Sequence, residues 1–289
     1  MAVGLMSLAA GPAMAQDHFV TQKDSSFVRT KNALPEDDRL IFDADGNSYP
    51  YLLEERDYNF KIADKMTGVS TERVQEIKEM LLKRACTLLK QTCDFDVTPG
   101  TLKEGLLMAP LEGEEVVTSA KPEDIYLGIT GHGMCIRPVA STANYLIYEV
   151  AASENRGSGV GAGFSWWSEF VIVMRKPTTW CPSGVLTTKE IFRNGSLPRQ
   201  LIPLLKRKVV REYGNFGEVT RVPDIYAPVK KGIMFFFDKY EVAPGAAGNA
   251  GALLTWAQLK PYMKTAAYNY LVNASASYKL LDDSPLKWY

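Results

Sequence analysis

The stretch KKGIMFFFDKYEVAPGAAGNAGALLTWAQLKPYM (230–263) decides how the fold is read. Ile233, Phe235 and Phe237 alternate with Met234, Phe236 and Tyr240, so an extended chain would show an apolar surface on both faces at its start. Such a strand is buried on both sides, against sheet, helix or another domain. Asp238, Lys239 and Glu241 then bring it out to solvent, and Pro244 ends it. The run Gly245-Ala246-Ala247-Gly248 allows a tight bend and leaves its amides open to close approach. A second apolar run follows, and Thr255 with Gln258 has the spacing of a capping box opening a short helix at Trp256. The expectation is strand, small-residue loop, strand, short helix. The loop is either a binding edge or the turn of a core strand.

Outward from this segment, the signals stay mixed. STERVQEIKEMLLKRACTLLKQ (70–91) places Val74, Ile77, Leu81, Ala85 and Leu88 on one stripe, predicting an amphipathic helix opened at Ser70 that packs on a sheet. YLLEERDYNFKIAD (51–64) reads as a strand, as do DIYLGITGHGMCIRPVAS, NYLIYEVAASE and FSWWSEFVIVMRK (164–176). PLLKRKVVREYG (203–214) predicts a short helix stopped at Gly214. Strands do not alternate regularly with long helices, so the expected class is α+β, a largely antiparallel sheet with amphipathic helices on one face. Residues 16–50 read as an extended or loose segment, with an Asp45-Gly46 turn, before an N-terminal α+β unit over 51–155 and a C-terminal one over 156–289.

Lys+Arg and Asp+Glu both number 33, so no net field draws the 289-residue chain to nucleic acid or to an anionic surface. No stretch reaches the roughly 18 apolar residues of a membrane span. MAVGLMSLAAGPAMAQ (1–16) reads as an export signal cleaved after Ala15, which predicts a periplasmic or extracellular protein. The four cysteines, Cys86, Cys93, Cys135 and Cys181, suit an oxidising compartment. Of the three connectivities they allow, Cys86–Cys93 with Cys135–Cys181 is preferred.

Signals for chemistry are sparse. His132, three residues before Cys135, is the one candidate for a Cys–His nucleophile pair, and no orienting third group is recognisable. A structural histidine at a strand end, flanked by glycines for backbone shape, is the favoured reading. Metal-ligand spacing is absent, and GSGVGAG (157–163) opens onto a strand where a phosphate loop would open a helix. Glu112, Glu114 and Glu115 read as a solvated cluster. No cofactor, metal or catalytic residue is expected. Adjacent Trp166 and Trp167 must point to opposite faces of a strand, so one meets the core and the other meets either a ligand or a covering helix.

Tyr240-Glu241-Val242-Ala243-Pro244-Gly245-Ala246-Ala247-Gly248, ending in Leu259-Lys260-Pro261-Tyr262, resembles the C-terminal domain of unknown function of RsiV-type anti-sigma factors, also found beside PdaC-type peptidoglycan deacetylase domains. SGVLTTKEIF (183–192) is similar to a further element of that family, and FKIADKM with STERVQEIKEML to the opening of its usual N-terminal companion domain. Two positions depart from the family pattern. Phe164 follows Gly161-Ala162-Gly163 where the family has histidine, and Gly245 stands where it has tyrosine. The resemblance implies an envelope-facing module that binds a protein such as lysozyme, or cell-wall glycan, without catalysis of its own. Contact candidates are Tyr240, Pro244, Gly245, Ala246, Gly248, Trp166 and Trp167. The competing expectation is a cell-wall hydrolase or amidase using His132.

Overall fold

The computed structural model describes residues 17–31, 51–93, 114–117, 130–155, 164–244, 250–281, 284 and 286. The export signal, the Asp45-Gly46 turn and the 157–163 glycine run lie outside them. The fold is α+β. Its frame is an eight-stranded sheet in the order β3-β1-β2-β4-β5-β6-β7, formed by β1 (His18–Lys31), β2 (Tyr51–Lys65), β3 (Glu114–Val117), β4 (Thr130–Ser141), β5 (Tyr145–Asn155), β6 (Phe164–Met174) and β7 (Val185–Leu186). The eighth strand, β11 (Lys279–Leu280), pairs with the far end of β4 at Ser141 and Ala140. Each named pair in the sheet is antiparallel except β2–β4, which is parallel, with Glu54 opposite Thr130 through Phe60 opposite Ile136. A parallel pair needs a crossover, and α1 (Thr71–Cys93) lies within it.

Helix α1 covers one face of the sheet. Val74, Ile77, Leu81, Ala85 and Leu89 are buried against Tyr58, Phe60, Met134, Ile136, Leu146, Tyr148, Val150 and Val173. The predicted stripe is borne out to Ala85. Its last member is Leu89 rather than Leu88, because a stripe continued at i+4 from Ala85 lands there. The helix start is also as expected: the Arg73 amide donates to Ser70 Oγ at 3.3 Å.

The opposite face carries a second layer, built from α2 (Thr188–Ile191), α3 (Ile202–Tyr213), a three-stranded antiparallel sheet of β8 (Ile225–Val229), β9 (Gly232–Phe236) and β10 (Gly251–Thr255), then α4 (Trp256–Leu259) and α5 (Thr265–Ala274). Every residue from Gly232 to Phe237 is buried, the two-sided burial that the phenylalanine run predicts. Gly232 is required there, since a Cβ would overlap the Leu254 carbonyl of β10. The Thr255–Gln258 capping box forms, as does a second at Thr187–Glu190, and Gly214 at φ 72° stops α3.

Of the two expectations for the N-terminal segment, extended or loose, residues 18–31 take the first: they form the strand β1, paired with β2 from His18 to Lys31. Its polar side chains hide it from a periodicity test, since pairing to β2 needs only backbone groups. The division at 155/156 falls between β5 and β6, neighbours paired from Tyr145–Met174 to Asn155–Phe164, so one sheet spans both expected units.

Candidate functional site

The register places one group of polar side chains together. On the second-layer side of the large sheet, β5 presents Tyr145, Ile147, Glu149, Ala151 and Ser153, and β6 presents Met174, Ile172, Phe170, Ser168 and Trp166 opposite them. Along β4 the same face carries Arg137, Cys135 and Gly133, and along β2 Asn59 and Asp57. Tyr145, Ile147, Ile172 and Met174 lie under the second layer and are fully buried. The Phe170 ring meets Phe236 at 5.1 Å between centroids and marks the end of that apolar half. Beyond it the face turns polar. Asp57 and Asn59 are exposed, and Trp166 is 47% exposed.

Two features give this half-face its shape. Arg137 Nε donates to Glu149 Oε2 at 2.5 Å; the Glu149 carboxylate is buried and the guanidinium is one-third exposed. Gly133 sits where a Cβ would meet the Asp57 carbonyl oxygen at 2.7 Å and Ser153 Oγ at 2.8 Å, so a side chain there would have to push back the β2 backbone. Cys135 stands among these groups. Burial pushes its thiol up to about 11, with Glu149 and Asp57 adding to the shift and Arg137 opposing it. A thiol held neutral is a poor nucleophile at neutral pH.

His132 is on the other face. Residues three apart in a strand point opposite ways, so His132 and Cys135 do not meet. His132 is 7% exposed on the α1 side, with its Nε2 2.8 Å from Tyr58 Oη. No group of His, Cys, Asp and Glu that could hold a metal ion occurs among the described residues.

The expected disulfides do not form: all four cysteines are free thiols. Cys86 and Cys93 lie seven residues apart in one continuous helix, about 10.5 Å along its axis, beyond the Cα separation a disulfide spans. Cys93 Sγ instead lies 3.6 Å from the Ser153 carbonyl. Cys181 is buried in the second-layer core, 3.4 Å from the Val185 carbonyl, and Cys135 sits on the polar half-face.

Trp166 and Trp167 do point to opposite faces, with Trp167 half-buried on the α1 side opposite Ala152. Tyr240 is 63% exposed and holds a left-handed backbone at φ 69°. The turn around it is clamped by Arg221, whose Nη2 donates to Asp238 Oδ2 at 2.6 Å and to Glu241 Oε2 at 2.9 Å. Pro244 is exposed; Gly245, Ala246 and Gly248 lie outside the described residues. Sequence reading missed Asp57, Asn59, Arg137, Glu149 and Ser153. The alternation in DYN (57–59) and CIR (135–137) was visible, but only the register shows that these residues share a face.

A cleft of about 380 Å³ opens at the N-terminus of α1, lined by Gly68, Ser70, Arg73, Glu76 and Lys176 among others. Its polar groups largely serve the fold. Arg73 donates to the carbonyls of Ser183 and Gly184 and to Glu76, and Arg175 is held by Asp17.

No protein-family model matches the chain, and no curated protein does. Among solved structures it is similar to a member of the DUF3298 family from Bacteroides fragilis, at TM-score 0.44 and 15% identity over 91% of this chain and 100% of that one. It is also similar to a DUF3298 family protein from Pseudomonas aeruginosa PAO1, at TM-score 0.46 and 11% identity over 89% of this chain and 97% of that one.

Proposed function

We propose that this is an exported, non-catalytic envelope protein that binds cell-wall glycan on the open half of its large sheet. The observation that carries the reading is Trp166, a large indole left 47% exposed beside Ser153 and Ser168, on a face that Asp57 and Asn59 share three strands away on β2. A sugar ring offers an apolar C–H face and a rim of hydroxyls. An exposed indole supplies a surface for the first, and short polar side chains supply donors and acceptors for the second. The non-catalytic part is supported by the separation of His132 from Cys135 across the sheet, and by the neutral state that burial imposes on Cys135. A protein ligand such as lysozyme is the second reading, favoured by the exposed, strained Tyr240, since tyrosine and arginine are frequent anchors of protein interfaces.

The test is retention of the chain on insoluble peptidoglycan, beside titration with lysozyme. The expected result is saturable retention that Trp166→Ala weakens by about thirtyfold, the usual loss for a dominant aromatic anchor. Retention unchanged by Trp166→Ala, or absent in the wild type, refutes the glycan reading. Lysozyme binding lost on Tyr240→Gly would favour the second.

A further inference from the structure

The face assigned to glycan carries one group whose donors the fold only partly uses. Arg137 on β4 gives its Nε proton to Glu149, but its two Nη groups make no hydrogen bond among the described residues. The Glu149 side chain is 5% exposed and the Arg137 side chain 33% exposed. A buried carboxylate thus fixes the base of the guanidinium fork and leaves its tips partly open. Arg175 shows the contrast: its three nitrogens are filled by Asp17, Ser141 and the Thr142 carbonyl.

The register puts Arg137 within reach of a ligand that lies on Trp166. Arg137 pairs with Glu149, Glu149 pairs with Phe170, and Phe170 is four residues from Trp166. Two strand spacings and four residues separate the indole position from the guanidinium position by roughly 17 Å between Cα atoms. The row between them has only short side chains, Ser168, Ala151 and Cys135. Charges of both signs share the face, Arg137, Lys61 and Lys23 with Glu149 and Asp57, so it favours neither an acidic nor a basic sugar.

We propose that the Nη groups of Arg137 donate to the acetamido carbonyl of an N-acetylated sugar, making that sugar class the preferred ligand of the Trp166 face. This rests on the glycan reading above. The Arg137 charge is already met by Glu149, so a ligand has to offer only a neutral acceptor. An amide carbonyl is a better acceptor than a sugar hydroxyl, and it stays uncharged. The acetamido methyl needs an apolar contact, which Cys135 supplies two residues along β4, half-buried on the same face.

The experiment is titration calorimetry of the full chain with three tetramers of one backbone linkage, built from N-acetylglucosamine, glucosamine or glucose. The expected result is a preference of about tenfold for the N-acetylated tetramer over the glucose tetramer, the worth of one hydrogen bond from a charged donor. The N-acetylated dimer, too short to touch both Trp166 and Arg137, should lose that advantage. Arg137→Met with Glu149→Gln removes the pair without stranding a buried charge and should make the N-acetylated and glucose tetramers equal. Arg137→Lys keeps the ion pair without the fork and should give the same loss, so the test survives if the double variant fails to fold. Trp166→Ala should weaken both tetramers alike. Equal binding of the N-acetylated and glucose tetramers by the wild type, tightest binding of the glucosamine tetramer, or a preference that persists in both Arg137 variants overturns the proposal and leaves the glycan reading standing. No binding of any tetramer, with no retention on peptidoglycan, removes both.

Discussion

Removing the Asp17 carboxylate should unfasten the start of β1 and lower stability by about 3–5 kcal/mol, the range for breaking a buried ion pair by deleting one partner. The Asp17 and Arg175 side chains are only 7% and 10% exposed. Arg175 donates from Nη1 to Asp17 Oδ1 at 2.8 Å and from Nη2 to Oδ2 at 2.6 Å, and the Thr67 amide and Ser141 hydroxyl donate to the same carboxylate. Asp17→Ala leaves the guanidinium buried with, among the described residues, only the Thr142 carbonyl and Ser141 as partners. For a chain of this size the melting temperature should drop on the order of 10 °C by calorimetry or circular dichroism. Arg175→Met in the same background should restore part of the loss, since neither charge is then stranded. The pH dependence has a definite sign. Burial pushes the Asp17 carboxyl up, but the Arg175 hydrogen bonds and charge, with the Thr67 and Ser141 donors, outweigh it and hold the group below the usual carboxylate range. Its contribution is therefore complete above the unfolded value, near about pH 4, and lost as pH falls through the lower folded value. Wild type should lose an acid-limb increment that Asp17→Ala has already lost. A variant melting within about 2 °C of wild type at pH 7, or parallel acid limbs, would refute the reasoning.

Other outcomes follow from single positions. Gly217→Ala should cost about 1–3 kcal/mol in denaturant unfolding, because its Cβ has no room beside the Glu241 carbonyl. Tyr145→Phe should be neutral or stabilising by about 1 kcal/mol, since the buried Tyr145 hydroxyl has no hydrogen-bond partner among the described residues; a marked loss would mean the hydroxyl is satisfied. Leu81→Ala, fully buried where α1 packs on the sheet, should cost about 2–5 kcal/mol. Alkylation of the unreduced chain in denaturant should label all four thiols by mass, with Cys86 and Cys135 slow in the native state at pH 8 because burial pushes both up to about 11. Two labels fewer would restore a disulfide.

What could be read ahead of the coordinates was whatever depends on near neighbours. The α1 stripe, the two-sided burial of Ile233–Phe237, the Thr255 cap and the Gly214 stop each rest on residues within a few positions of one another, and local sterics fix them. The candidate site is a product of pairing at a distance. Asp57 meets Gly133 across 76 positions and Gly133 meets Ser153 across 20, and nothing in DYN or GMC announces either partner. The cysteines show the same limit: closeness along the chain favoured Cys86–Cys93, but the helix that the sequence itself predicts holds them too far apart to bond. Taking that predicted helix literally would have rejected the pair. The same step applied to β4 would have separated His132 from Cys135, since an odd spacing in a strand sends side chains to opposite faces. The sheet therefore argues against a thiol–imidazole pair at these positions through backbone geometry, before any ligand is considered. What that geometry leaves on the open half-face is the Trp166 indole beside Ser153 and Ser168, and the proposed glycan binding rests on that surface.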